Sequence, residues 1–143
     1  KKKVIFDKNP KYLIDSYRYM KQNNDLNWDD NDIESLKKIV ESTTKMDKGI
    51  FCHIDDEFNN RLCSVFYSWD KTKAYFLYGG TNLKIKNDWV GVTAHWQMFK
   101  YLANQKKIFL VDLEGINSPK RGYFKTSFGT EIKNYFNINL KNF

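Results

Sequence analysis

The order of periodic segments predicts an α/β chain, more narrowly α+β: a mixed, mostly antiparallel sheet flanked by helices. Three observations carry that prediction. The hydrophobic period is helical over the first third, switches to strand alternation after Gly49, and returns to helical spacing near Gly91. Three successive strand-like runs are separated only by turn formers, which is the pattern of an antiparallel meander. A helix then leads to the apolar run Ile108-Phe109-Leu110-Val111, so this strand is expected to return parallel to the last strand of the meander.

The elements follow in order. Val4-Ile5-Phe6 forms a short strand, ended by Asp7-Lys8-Asn9-Pro10. Pro10 suits a helix's first turn with Asn9 as its cap. That helix runs from Lys11 to about Asn23, with Leu13, Tyr17 and Met20 at helical spacing and Tyr12 and Tyr19 widening the face. A second helix starts at Asp29-Asp30, whose charge complements the helix dipole, and runs to about Thr43 with Ile33, Leu36 and Val40 inward. The meander comprises Ile50–Ile54, Arg61–Trp69 and Lys73–Tyr78, with turns at Asp55–Asn60 and Asp70–Thr72 and an end at Gly79-Gly80. After a polar loop, Thr81–Asp88, a helix begins at Asp88 or Gly91 and continues to about Asn104; Val92, Trp96, Phe99 and Leu102-Ala103 form its apolar stripe. A buried strand at Lys107–Leu113, a short helical turn at Tyr123–Phe128 and a last strand at Glu131–Leu140 complete the order.

The 143 residues suit a single domain, 1–143, and the 17% aromatic content points to a core built from rings. The 24 basic and 17 acidic residues give a net charge of +7, which favours an anionic partner such as nucleic acid, a phosphorylated cofactor or a nucleotide-sugar. An evenly solvated lysine surface explains the same number. Two cysteines, Cys52 and Cys63, make no disulfide framework, so a cytoplasmic location is expected and both should be buried thiols. No run approaches the about 20 apolar residues of a membrane helix. The two histidines, His53 and His95, have no metal-binding spacing, and no metal is expected. Cys52 and His53 are strand neighbours, so they point to opposite faces and do not form a nucleophilic pair.

The chemistry concentrates between Lys106 and Phe128. The apolar strand there breaks into Asp112, Glu114, Gly115 and Asn117-Ser118-Pro119, then into Lys120-Arg121-Gly122-Tyr123-Phe124-Lys125. A strand whose carboxyl end delivers acids, glycine and basic groups into one loop is a common ligand site in an open sheet.

This order, with Phe124-Lys125-x-x-Phe128-Gly129 after an acidic strand end and with Gly91 and Trp96 in the helix after the meander, resembles the GNAT-like acyltransferase domain of the FemAB/BioF2-like superfamily. The resemblance spans nearly the whole chain in element order and about the last third in motif. It implies transfer of an acyl or aminoacyl group, from acyl-CoA or aminoacyl-tRNA, to the amine of an amino sugar or of a peptidoglycan or polysaccharide precursor. It also implies, as partners, tRNA or a second GNAT-like domain. Lys125 matches the lysine of the family's Phe-Lys motif, near a donor or acceptor phosphate, and Asp112 matches the strand end facing the cleft. The chain departs from the family's glycine-rich phosphate loop. Across Asn82–Gly91 only Gly91 remains, and Lys84 and Lys86 stand before the helix N-terminus as candidate phosphate ligands.

Acyl transfer needs a deprotonated amine, a polarised carbonyl and a held leaving group. Asp112 or Glu114 could accept the proton, or else cap the turn they begin. Lys125 could stabilise negative charge, Arg121 could fork onto a phosphate or carboxylate, and Tyr123 could protonate a leaving group or simply pack. Asn117 and Ser118 could bind sugar hydroxyls or only make a turn. The alternative function is a non-catalytic half-domain that binds a nucleotide-sugar, tRNA or a partner domain; tRNA binding would fall steeply with salt.

Overall fold

The computed structural model describes residues 1–22, 29–82, 89–116 and 119–134. The elements are β1 (Lys3–Asp7), α1 (Lys11–Gln22), α2 (Asp30–Lys45), β2 (Gly49–Asp55), β3 (Arg61–Trp69), β4 (Lys73–Thr81), α3 (Val90–Tyr101), β5 (Leu110–Asp112) and α4 (Pro119–Thr126). The sheet has the order β1-β2-β3-β4-β5. β1 to β4 are antiparallel neighbours, and β5 runs parallel to β4 after the α3 crossover.

Local chemistry sets the helix starts. The Lys11 N–H donates to Asn9 Oδ1 at 2.9 Å ahead of α1. Asp29 caps α2 through a reciprocal pair, its Oδ1 accepting from the Asp32 N–H at 2.9 Å while Asp32 Oδ2 accepts from the Asp29 N–H at 2.8 Å. Such a cap contributes about 1 kcal/mol. Gly49 opens β2 because nothing larger fits: a Cβ there would stand 2.6 Å from the Phe66 ring and 2.8 Å from Thr43 Oγ1.

The sheet separates two cores. On one face α1 and α2 bury Leu13, Ile14, Tyr17, Ile33, Leu36 and Val40 against Phe51 and Phe66. On the other, α3 buries Ala94, Met98 and Leu102 against Cys52, Ile54, Val65, Tyr67 and Ala74. Both cysteines are free and buried, and burial pushes each thiol up to about 12. Among the described residues no helix is long and apolar enough to cross a membrane.

Several elements differ from the sequence expectation, each for a physical reason. β4 does not stop at Tyr78. It continues through Gly79 and Gly80 because the long β3 offers them partners in Val65 and Ser64. α3 passes into a π turn at Leu102–Lys106 that closes with Lys107 in the left-handed region (φ 58°). That closure leaves Lys107–Phe109 outside the sheet and shortens β5 to three residues. β5 is therefore not the buried strand its apolar run suggests: Ile108 is 5% exposed, but Phe109 is 79% and Leu110 60% exposed. The inward stripe of α3 is Val90, Ala94, His95 and Met98, while Trp96 is half exposed. The small Ala94 lets the helix approach the sheet on that side. The helical turn expected at Tyr123–Phe128 is a helix that starts earlier, at Pro119. Residues 131–134 are exposed and carry no strand; the rest of the expected last strand lies outside the described residues, as does Asn23.

Candidate active site

β4 and β5 part company early. They pair only at Lys73–Leu110, Ala74–Val111 and Tyr75–Asp112. β5 then ends, and β4 continues from Phe76 to Thr81 with no strand on that side among the described residues. At about 3.3 Å per residue this open edge is about 17 Å long. A bulge helps to open it. The β3–β4 register slips between Phe66–Tyr78 and Tyr67–Phe76, leaving Leu77 unmatched, and a bulged strand bends and twists locally. The extra residue turns Leu77 and Tyr78 toward the α1–α2 core, while Phe76 packs on the α3 core.

One wall of the gap is aromatic. The His95 ring centroid lies 4.7 Å from that of Phe76 and 5.4 Å from those of Phe124 and Phe128; the last two meet each other at 5.3 Å. His95 shares a hydrogen bond through Nδ1 with the Tyr67 hydroxyl. Burial pushes His95 down to about 4, so it is neutral near pH 7, and burial also pushes the Tyr67 hydroxyl up. On the opposite face the Tyr17 hydroxyl donates to the Gly79 carbonyl at 3.5 Å, and its ring meets Tyr78 edge-on at 6.4 Å.

The charged groups converge at the closed end. Lys125 reaches back from α4, and its Nζ donates to the Gly115 carbonyl at 2.8 Å while lying 5.8 Å from the Phe76 ring centroid. Burial holds its ammonium below the ordinary lysine value, with Glu114 and Asp112 opposing that shift. Glu114 occupies the left-handed region (φ 63°); burial and then the Asp112 charge raise its carboxyl above the ordinary value. Asp112 is engaged on both sides: Oδ2 accepts from Lys73 Nζ at 3.0 Å and Oδ1 from the Glu114 N–H at 2.9 Å. Burial raises the Asp112 carboxyl, but these two donors outweigh it and hold it below the ordinary range.

Of the residues singled out in the sequence, the fold thus brings Asp112, Glu114 and Lys125 together. Gly91 lies in the first turn of α3, where a Cβ would touch the Phe124 ring at 3.7 Å. Arg121 is on α4, close enough to Tyr17 for its charge to be felt there. Tyr123, on α4, is 81% exposed, so it does not pack into the core. Lys84, Lys86, Asn117 and Ser118 lie outside the described residues. Sequence reasoning missed Phe76, Tyr78 and His95 as parts of the site. Only the aromatic spacing around His95 carried any signal.

α3 is the next element after β4 in the chain and begins at Val90. Trp89 precedes α3 in the left-handed region, and among the described residues no side chain caps its first N–H groups. Uncapped N–H groups and the helix dipole suit an anion. No cluster of metal-ligating side chains occurs among the described residues. Two open depressions, of about 270 and 210 Å³, lie along α1; the second reaches Thr81 at the end of the open β4 edge, and neither includes Glu114 or Lys125.

No protein-family model matches this chain, and no curated protein sequence does. Solved structures do. A predicted acetyltransferase of Clostridium acetobutylicum, determined with acetyl-CoA, superposes with a TM-score of 0.75 at 9% identity, over 97% of this chain and 96% of that one. A GNAT-family acetyltransferase of Streptococcus pneumoniae gives a TM-score of 0.65 at 14% identity, over 99% and 100% of the two chains. Glucosamine-6-phosphate N-acetyltransferase of Arabidopsis thaliana gives 0.64 at 12% identity, over 100% and 98%. At these identities the likeness is one of fold: a five-stranded, mostly antiparallel sheet flanked by helices, as in GNAT proteins.

Proposed function

We propose that this chain, built on the GNAT fold, is an N-acyltransferase that moves an acyl group from an acyl-CoA to the amine of a small molecule. The observation that carries this reading is the parting of β4 and β5 after Tyr75 and Asp112. The acetyl-CoA held by the Clostridium protein supports a CoA thioester over an aminoacyl-tRNA as donor. The name of the Arabidopsis protein supports an amino sugar as acceptor, and a cell-envelope or polysaccharide precursor is the finer form of that proposal.

A bound acyl-CoA supplies an acyl group already activated as a thioester. The chain's residues divide the remaining work. Glu114 accepts the proton of the attacking amine; its raised carboxyl lies nearer neutral pH than an ordinary glutamate, which favours proton transfer in both directions. Asp112 positions it by accepting its backbone N–H. The Lys125 ammonium stabilises negative charge developing at the carbonyl oxygen. The ring wall of Phe76, Phe124 and Phe128 excludes water from that end of the gap. Gly91 and the first turn of α3, with Lys84 and Lys86 before it, hold the phosphates, and Arg121, Asn117 and Ser118 contact the acceptor.

The test is a thermal-shift series with acetyl-CoA and longer acyl-CoAs, followed by a thiol-release assay against a panel of amino sugars and other amines. A ligand at about a hundredfold its dissociation constant adds about 2.7 kcal/mol, a shift of several degrees in a domain this size. The expected result is stabilisation by acyl-CoA and amine-dependent thiol release that Glu114→Gln lowers about a hundredfold. No stabilisation by any acyl-CoA overturns the reading.

A further inference from the structure

We propose that Lys125 is itself an acyl acceptor, so that a bound acyl-CoA slowly acylates the enzyme on the Lys125 amine and limits its own turnover. The inference rests on the acyltransferase reading of the gap and concerns the regulation of that site.

The geometry is specific to this lysine. β4 and β5 last pair at Tyr75 and Asp112, so the gap between them begins beside Phe76. A ligand that enters between the parted strands and reaches the end where they pair presents its acyl group at Phe76. Lys125 Nζ is already there, 5.8 Å from the centre of that ring. Its side chain is half-buried and, among the described residues, hydrogen-bonded to a neutral carbonyl, that of Gly115. The groups facing it are Glu114 and Asp112 from the end of β5, Arg121 from α4 and His95 from α3. Burial favours its neutral, nucleophilic form. Lys73 stands near the same closed end and behaves oppositely. Its ammonium pairs with Asp112 at 3.0 Å, and that hydrogen bond holds its pKa above the ordinary value. It stays charged and does not attack.

The step is balanced without a further reactant. The neutral Nζ attacks the thioester carbonyl carbon, an N–C bond forms, the C–S bond breaks and CoA leaves as its thiolate. The proton lost by nitrogen passes to Glu114 or to water and on to the thiolate. The product is a neutral amide whose remaining N–H can still donate to the Gly115 carbonyl. The ammonium charge is gone, and an acyl group lies against Phe76, where the next donor must place its own.

The experiment incubates the full chain with acetyl-CoA, without acceptor, and follows intact mass and then peptide mapping. The melting temperature with acetyl-CoA is measured in parallel. One acetyl group is expected, mapping to Lys125 at a rate at least about tenfold that of the other lysines, as proximity to a bound reactant requires. The rate should saturate with acetyl-CoA and fall when free CoA competes. Lys73→Arg should retain the adduct, and Lys125→Arg should lose it while still being stabilised by acetyl-CoA. Stabilisation by acetyl-CoA with Lys125 unmodified overturns this inference and leaves the acyltransferase reading standing. Acetylation spread evenly over surface lysines, unaffected by CoA, also overturns it. Neither stabilisation nor adduct overturns both.

Discussion

The sheet buries one histidine on each face, and different chemistry holds the two. His53, in β2, is gripped by polar partners: Nε2 meets Asp7 Oδ1 at 2.9 Å and Nδ1 meets Ser64 Oγ at 2.8 Å, with the Phe51 ring stacked 5.3 Å away. His95, in α3, has one polar partner among the described residues, Tyr67, and lies among the rings of Phe76, Phe99, Phe124 and Phe128. Burial lowers the pKa of both, but Asp7 opposes the shift at His53 and nothing anionic opposes it at His95. The first histidine ties β1 to β2 and β3. The second is the joint by which α4, with Lys125, is carried on α3. A polar network of fixed length makes a rigid seam, whereas an aromatic joint can slide, and the joint is the one beside the candidate site.

That contrast can be broken by substitution. The largest effect is expected for His53→Ala, which removes core volume and leaves the Ser64 hydroxyl unsatisfied. It should cost about 3 to 4 kcal/mol, seen as a lower urea midpoint with an unchanged slope. A loss under about 1 kcal/mol would mean that the seam is not what holds β1.

The next effect is a pH dependence. His95 lies at about 4 in the folded chain against 6.5 when unperturbed. A lowered folded value means the unfolded chain binds the proton first. The stabilisation is therefore complete above about pH 6.5 and lost as pH falls toward about 4, a change of about 3 kcal/mol. His95→Phe should flatten that part of the curve, and the difference between the two urea series reads the histidine alone. Identical slopes would mean that His95 is not held neutral.

The smallest effect on stability is expected for Phe128→Ala. Its ring is only partly buried, so about 2 kcal/mol is at stake. Its effect on acetyl-CoA affinity should be the larger of the two, because α4 loses its seat on His95. Equal losses of stability and affinity would argue that α4 does not move independently of the sheet.

The meander and both α1–α2 core stripes were legible in the sequence because each repeats a local period: Ile33, Leu36 and Val40 at helical spacing, and alternation from Ile50 to Ile54. The charge of Asp29 and Asp30 at a helix start was legible, but the reciprocal cap that Asp29 makes with Asp32 was not. The cluster of Asp112, Glu114 and Lys125 was legible as composition, since all three fall within one loop and the helix after it. The element order gave the meander and the parallel return of β5, because short turns favour antiparallel neighbours and a crossover helix a parallel one, but not the place of β1, which meets β2 only after two helices. Tertiary structure alone decided what those residues face. The sequence cannot tell that Leu77 is the unmatched residue that bends β4, that Lys107 turns left-handed and shortens β5, or that Ala94 rather than Trp96 meets the sheet. Each depends on how two elements distant in the chain meet, and no local period encodes that meeting.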